Sequence, residues 1–388
     1  MSNGSLPSNA RLPAAGATGG AASIKAWQQR ASPLTRYALL AYVLLLVDAT
    51  LYPWSGWRDR GIGPFEYLLG PWPTYFTGFD VVVNVLGYVP LGLLAGLALY
   101  PRLRGGRAVA LALLSCLLLS GGLEAVQTFL SSRVASRLDL LTNGVGALIG
   151  SLLAAWLADA ILERGRLREL RLQWFEREAS VGLLFLMLWF LALLFPDNFA
   201  FAPGGLLKPL FDILLGSLGL QDRWLLDPGH FFWGEALLAA LSLSGAGALM
   251  LSLAKPFAPR LFLSISFVLL SVVAQSLSAG FASQQNRPFH WLTAGAQTGI
   301  VLAMVALLAL IWLPVAWRAR MGLLALAGLV VLAGLMPSNP YAATSANWAY
   351  GQFLNFHGLT YGLHLVWPFF AALVLWRRAW GASHWRPL

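Results

Sequence analysis

The chain has 388 residues, 58% of them hydrophobic and 11% charged, with a mean hydropathy of +0.68. That balance excludes an ordinary soluble domain. The formal net charge of +10 excludes little by itself, but its basic residues are spread over many loops. This pattern argues against a nucleic-acid surface and fits a membrane protein whose loops follow the positive-inside rule.

Residues 1–33 are rich in Ser, Gly, Ala and Pro and contain no apolar core, so a disordered tail is expected over 1–35 and a cleavable signal peptide is not. Ten apolar runs then follow, at about 36–53, 79–100, 108–130, 138–160, 180–196, 231–253, 261–281, 291–313, 321–336 and 358–376. Each approaches the ~20 residues a helix needs to cross a bilayer. An all-α, polytopic helical membrane protein is expected, because only helices or closed barrels satisfy their backbone in hydrocarbon. The 17 tryptophans and 10 tyrosines suit interfacial belts. Cys116 is the lone cysteine and lies within an apolar run, which supports neither a disulfide nor a cysteine metal site.

Charge sets the expected orientation. The tail, the loops at Arg102 to Arg107, Arg164 to Arg177, Lys255 to Arg260 and Arg318 to Arg320, and the C-terminal segment hold 19 of the 26 basic residues. Both termini are therefore expected in the cytoplasm. Within the basic loop 161–179, Leu167, Leu170 and Trp174 recur at helical spacing among Arg164, Arg166, Arg168 and Arg171. Leu162 to Phe175 reads as an interfacial amphipathic helix, against the plainer reading of a basic linker.

Short echoes suggest an internal repeat. Phe65-Glu66-Tyr67-Leu68-Leu69-Gly70 resembles Phe211-Asp212-Ile213-Leu214-Leu215-Gly216, and Leu51-Tyr52-Pro53 resembles Leu194-Phe195-Pro196. Asp139-Leu140-Leu141-Thr142-Asn143-Gly144 aligns with His290-Trp291-Leu292-Thr293-Ala294-Gly295, and Met336-Pro337-Ser338-Asn339 echoes Phe195-Pro196-Asp197-Asn198. The expected division is a four-helix unit over 36–160, a linker over 161–179, a diverged copy over 180–316, and two further helices with a short cytoplasmic tail over 317–388. An even number of spans per unit gives parallel repeats. The acids of the first unit are expected to be replaced in the second, where His290 stands at the Asp139 position, His230 near that of Asp80, and Gln275 near that of Glu124; His357 stands near the Asp80 position in a third, half-length copy.

Phe79 to Gly150 places polar residues in otherwise spanning sequence. Asp80 and Asn84 open one run, Glu124 and Gln127 close the next, and Arg133, Arg137, Asp139 and Asn143 surround the start of a third. Such residues are costly in hydrocarbon and usually face a protein interior. Their spacings of three or four place each pair on one helix face. Glu124 is expected about six residues from the outer end of its span, roughly 9 Å deep at 1.5 Å per residue. All eight could line one cavity open to the extracytoplasmic side. Asp48 is expected mid-span in the first helix, paired with an arginine, lining the cavity or serving as a proton relay. Gly92-x3-Gly96 and Gly146-x3-Gly150 read as close helix contacts.

The runs Asp80-x3-Asn84-x5-Pro90-x-Gly92, Glu124-x2-Gln127 and Arg133-x5-Asp139-x3-Asn143-Gly144 together resemble the VanZ-like family over residues 36–160. The resemblance implies an integral membrane unit of about four or five helices and a link to teicoplanin-type glycopeptide resistance. It implies no settled reaction.

Several readings stay open. The cavity could bind a lipid-linked or anionic envelope molecule, with an arginine holding phosphate or carboxylate through paired hydrogen bonds. Its carboxylates could instead serve as general acid and base, hydrolysing or transferring a lipid-linked phosphate or glycosyl group. The chain could be a non-catalytic scaffold for an envelope or export complex. A plainer alternative makes Glu124, Arg133 and Asp139 a buried ion-pair network that only ties two spans together. His230, His290 and His357 lack tight metal-ligand spacing, so no metal or cofactor is expected. Membrane lipids are the expected surroundings.

Overall fold

The computed structural model describes residues 33–52, 54–70, 72–73, 76, 78–131, 133–158, 166–195, 199–220, 228–282, 288–336 and 354–381. The tail and the echoes at 196–198 and 337–339 lie outside them. Twelve α-helices occur among the described residues. The first unit holds α1 (Pro33–Leu51), α2 (Gly78–Leu99), α3 (Gly105–Gln127) and α4 (Arg137–Ala158). A short α5 (Arg166–Trp174) leads to α6 (Ser180–Ala192) and α7 (Lys208–Ser217). Then come α8 (Pro228–Leu253), α9 (Arg260–Ala282), α10 (Ala294–Ile311), α11 (Val315–Leu335) and α12 (Leu354–Trp380).

Every expected apolar run lies on a helix. Among the described residues α1–α4 and α8–α11 are long and apolar enough to cross a membrane. Helix α6 is equally apolar but has 13 residues. At 1.5 Å per residue it reaches about 20 Å, short of a ~30 Å hydrocarbon core. The chain is a polytopic helical membrane protein.

Helices α2 and α4 run parallel and form the closest pair of the first unit. Methyl groups added at Gly146 and Gly150 would overlap the Val85 and Val89 carbonyls, and one at Gly92 would overlap the Ala147 carbonyl. Small residues thus let two backbones touch, which is how spanning helices associate without a hydrophobic driving force. Tyr88, Leu91, Ala112, Cys116 and Ala147 fill the space between α2, α3 and α4.

In the second half α8 is the buried hub, with α10 and α11 packed along it. A methyl added at Gly299 of α10 would overlap the Ala236 carbonyl of α8, and one at Gly295 would crowd the Phe232 carbonyl and the Glu235 carboxylate, both less tightly than Gly146 and Gly150 meet α2. The two halves are joined by α12. Its Trp367 indole donates to the Phe185 carbonyl at 2.7 Å, and Tyr361 packs edge-on to Tyr52 just beyond α1.

The expected amphipathic segment is helical from Arg166, and it is pinned to protein. Lys255 donates from its backbone to the Trp174 carbonyl at 2.8 Å and from its side chain to the Leu172 carbonyl. Arg171 donates to the Ser180 hydroxyl at 2.8 Å, and Trp174 packs edge-on to Phe262. These contacts fix its C-terminal end beside the end of α8.

Candidate functional site

The polar residues gather at the end of the first unit where α1 and α3 finish and α2 and α4 begin. Asp139 opens α4, and its Oδ1 accepts from Asn84 Nδ2 of α2 at 2.9 Å. Asp80, exposed in the first turn of α2, lies within electrostatic range of Asp139. Glu124, 4% exposed near the end of α3, accepts the Ser136 backbone N–H at 2.9 Å. That donor belongs to the turn leading into α4, so Glu124 ties the end of one helix to the start of the next. Glu124 and Asp139 lie within electrostatic range of each other and of Arg133.

Arg133 is the cation between them, yet it forms no ion pair among the described residues. It donates to the Tyr52 carbonyl at 3.4 Å, while its Nε has no partner. Burial lowers the Arg133 pKa from its ordinary value, and the carboxylates of Glu124 and Asp139 oppose that shift. The Glu124–Arg133–Asp139 ion-pair network of the plainer alternative is therefore absent among the described residues. Neutral donors, the Ser136 N–H and the Asn84 amide, hold the acids instead.

The loop from Trp54 to Gly70 folds over this end. The Arg58 N–H donates to the Phe129 carbonyl at 2.9 Å, and the Ser131 N–H donates to the Gly56 carbonyl at 3.2 Å. Arg60 donates to the Leu130 carbonyl at 2.9 Å and to the Arg133 carbonyl at 3.4 Å. Tyr67 is buried and donates to the Gly121 carbonyl at 3.0 Å. Burial and the nearby Glu124 raise its hydroxyl pKa. Arg137 stacks over the Trp72 ring at 4.4 Å.

Not every expected residue joins the cluster. Gln127 turns to the Thr50 carbonyl at the end of α1, at 2.9 Å. Asn143 lies a turn deeper than Asp139 and donates to the Ser120 hydroxyl at 2.9 Å, joining α3 to α4. Both are helix ties. Arg60, Tyr67 and Ser136 complete the site and were missed. Two lie in a loop with no apolar period, and the third acts through a backbone N–H that sequence does not display.

Two expectations about single acids need correction. Asp48 lies in the last turn of α1, because the helix stops at Leu51, and it takes the Trp54 indole N–H at 2.9 Å rather than an arginine. The second half does retain an acid: Glu235 of α8 accepts from the Thr293 hydroxyl at 2.5 Å. Pattern matching to Glu124 missed it because it sits two turns into α8, a different span. The side chains of His230 and His290 are exposed, while that of His357 lies outside the described residues.

These features define a polytopic helical membrane protein with a buried acid–arginine cluster at one end of a four-helix unit. Residues 37–158 match the VanZ/LLP1 family model, and the match covers the helices that build this cluster. The match stops at the end of α4, and no second copy is supported by it. No curated protein and no solved structure matches the chain.

Proposed function

We propose that the VanZ/LLP1 domain binds an anionic or lipid-linked cell-envelope molecule at its polar end and so modulates envelope metabolism and tolerance of glycopeptide-type antibiotics. The observation that carries this reading is Arg133: a half-buried guanidinium beside the buried Glu124 and the half-buried Asp139, paired to neither and with Nε unpartnered. A phosphate or carboxylate would complete its donor set. The charge bias of the loops supports an extracytoplasmic position for this end, with both termini in the cytoplasm of a bacterial cell.

Complementation of a deletion strain tests the reading. Arg133→Ala and Glu124→Gln should accumulate normally yet weaken protection or ligand retention about tenfold or more, the equivalent of one charge-assisted hydrogen bond. Full complementation by both at normal expression sinks it.

The proximity of Glu124 to Asp139 favours a second reading, acid–base hydrolysis or transfer on a lipid-linked phosphate or glycosyl group. Labelled envelope lipids incubated with purified protein decide between the two, since binding alone leaves them intact. The matched glycine-to-carbonyl contacts of α2 with α4 and of α8 with α10 support a diverged repeat, whose second half then serves as a frame for the first.

A further inference from the structure

Helices α11 and α12 run antiparallel and leave a groove of about 690 Å³ between them. Its α11 wall is Leu324, Ala327 and Val331, and its α12 wall is Pro368, Phe369 and Ala372. Leu324 is 64% exposed and Val331 47%, so the groove opens outward. On a spanning helix an outward apolar face meets lipid.

One end of the groove has a different chemistry. Arg320 holds its guanidinium 5.2 Å from the Trp317 ring and 5.6 Å from the Trp380 ring. Its Nε is buried with no hydrogen-bond partner, and no carboxylate pairs with it among the described residues. Its neighbours differ. Arg318 directs its donors into the protein, and Arg378 pairs with Glu176. Arg320 lies one turn into α11, between two tryptophans of the kind that mark the membrane–water interface. From Arg320 to Val331 the groove runs 11 residues, roughly 16 Å, or about one leaflet of a ~30 Å core.

We propose that this groove is a binding site for one anionic glycerophospholipid. An acyl chain lies along Leu324, Ala327 and Phe369, and the phosphate sits on Arg320 between Trp317 and Trp380. The charge selects the occupant. A packed partner helix would bury Arg320 and would have to bring an acid to it, whereas a phospholipid delivers phosphate at the depth where its own chain enters the groove. Basic pockets between spanning helices bind anionic head groups for this reason, and the exposed Arg377 adds a second positive charge one turn before Trp380.

Native mass spectrometry of the full chain in neutral detergent, titrated with phosphatidylglycerol or phosphatidylcholine, tests the site. The wild type should retain one phosphatidylglycerol at least fivefold more strongly than phosphatidylcholine. Arg320→Gln should bring the two lipids level. Ala327→Phe, which fills the groove and leaves the charge, should remove both. The idea is overturned if the wild type retains the lipids equally or retains neither, or if Arg320→Gln keeps its preference. A dimer that Ala327→Phe abolishes also overturns it, by showing another copy in the groove. The comparison of two lipids on the wild type needs no variant, so a misfolded variant leaves the test intact.

Discussion

Gly150→Leu is expected to abolish accumulation of folded protein, and Gly150→Ala to destabilise it by about 3 kcal/mol. A Cβ at this position overlaps the Val89 carbonyl and also approaches the Leu93 backbone nitrogen. Both obstacles are backbone of the facing helix, so no rotamer change relieves them. The two helices must separate, and Gly146 and Gly92, which make the same approach on either side, lose their contacts together. Gly122→Ala is the control, since nothing lies within 4 Å of its added methyl. Heating detergent-solubilised protein and measuring the surviving monomer by size exclusion reads the difference. A Gly150→Leu protein that melts beside Gly122→Ala would break the argument. The functional consequence follows from adjacency. Asn84 directly precedes Val85, so the α2–α4 separation that Gly146 limits also sets the 2.9 Å bond from Asn84 to Asp139. Separating the helices therefore also dismantles the polar site.

This coupling explains which parts of the molecule sequence could reveal. The apolar runs were legible because spanning helices need length and hydrocarbon and little else, and each run lies on a helix. Asp139 and Asn84 were legible as members of one cluster, because polar residues on spanning helices are rare and must find one another, but the bond between them was not. Gly146 and Gly150 showed their packing role through spacing alone. Glu124 was legible as a member of the polar cluster, but its partner was not, because the Ser136 backbone N–H carries no residue-type signature. Arg60 and Tyr67 stayed hidden in a loop whose fold depends on backbone bonds such as that from Arg58 to the Phe129 carbonyl. Asp48 was read as mid-span, but the helix stops at Leu51, which puts it at a helix end. Loop arginines were misread in one respect. Counting them by side treats a buried arginine and a solvated one alike.

Arg318 is that buried arginine, and replacing it is expected to have the largest effect in the second half. It is 3% exposed and close to no acid that it pairs with among the described residues. Its Nε donates to the Leu310 carbonyl at 3.0 Å, and its two terminal nitrogens donate to the Leu251 carbonyl at 3.1 Å and the Ile311 carbonyl at 2.9 Å. These carbonyls belong to the last turns of α8 and α10, where a helix has no internal donors left. Each C-terminus carries roughly half a negative charge, so two of them together offset one guanidinium without a carboxylate. Arg260 adds a second donor to the Ile311 carbonyl at 3.3 Å. Arg318→Met keeps the volume and removes all three donors: the Leu251 carbonyl loses its side-chain partner, while Leu310 keeps the Leu313 N–H at 3.2 Å and Ile311 keeps Arg260 at 3.3 Å, so it should cost about 3 kcal/mol. Arg318→Lys keeps the charge but not the planar fork that reaches two helices at once, so it should recover only about half of that loss. Arg320→Gln, two residues away, should leave the melting midpoint in lipid-free detergent unchanged, because its guanidinium closes no helix end. Equal midpoints for Arg318→Met and Arg320→Gln would show that the α8 and α10 termini are held by packing alone. The ordered series Met, Lys, Arg at residue 318 would instead show that a charge placed by topology also locks the hub of the second half.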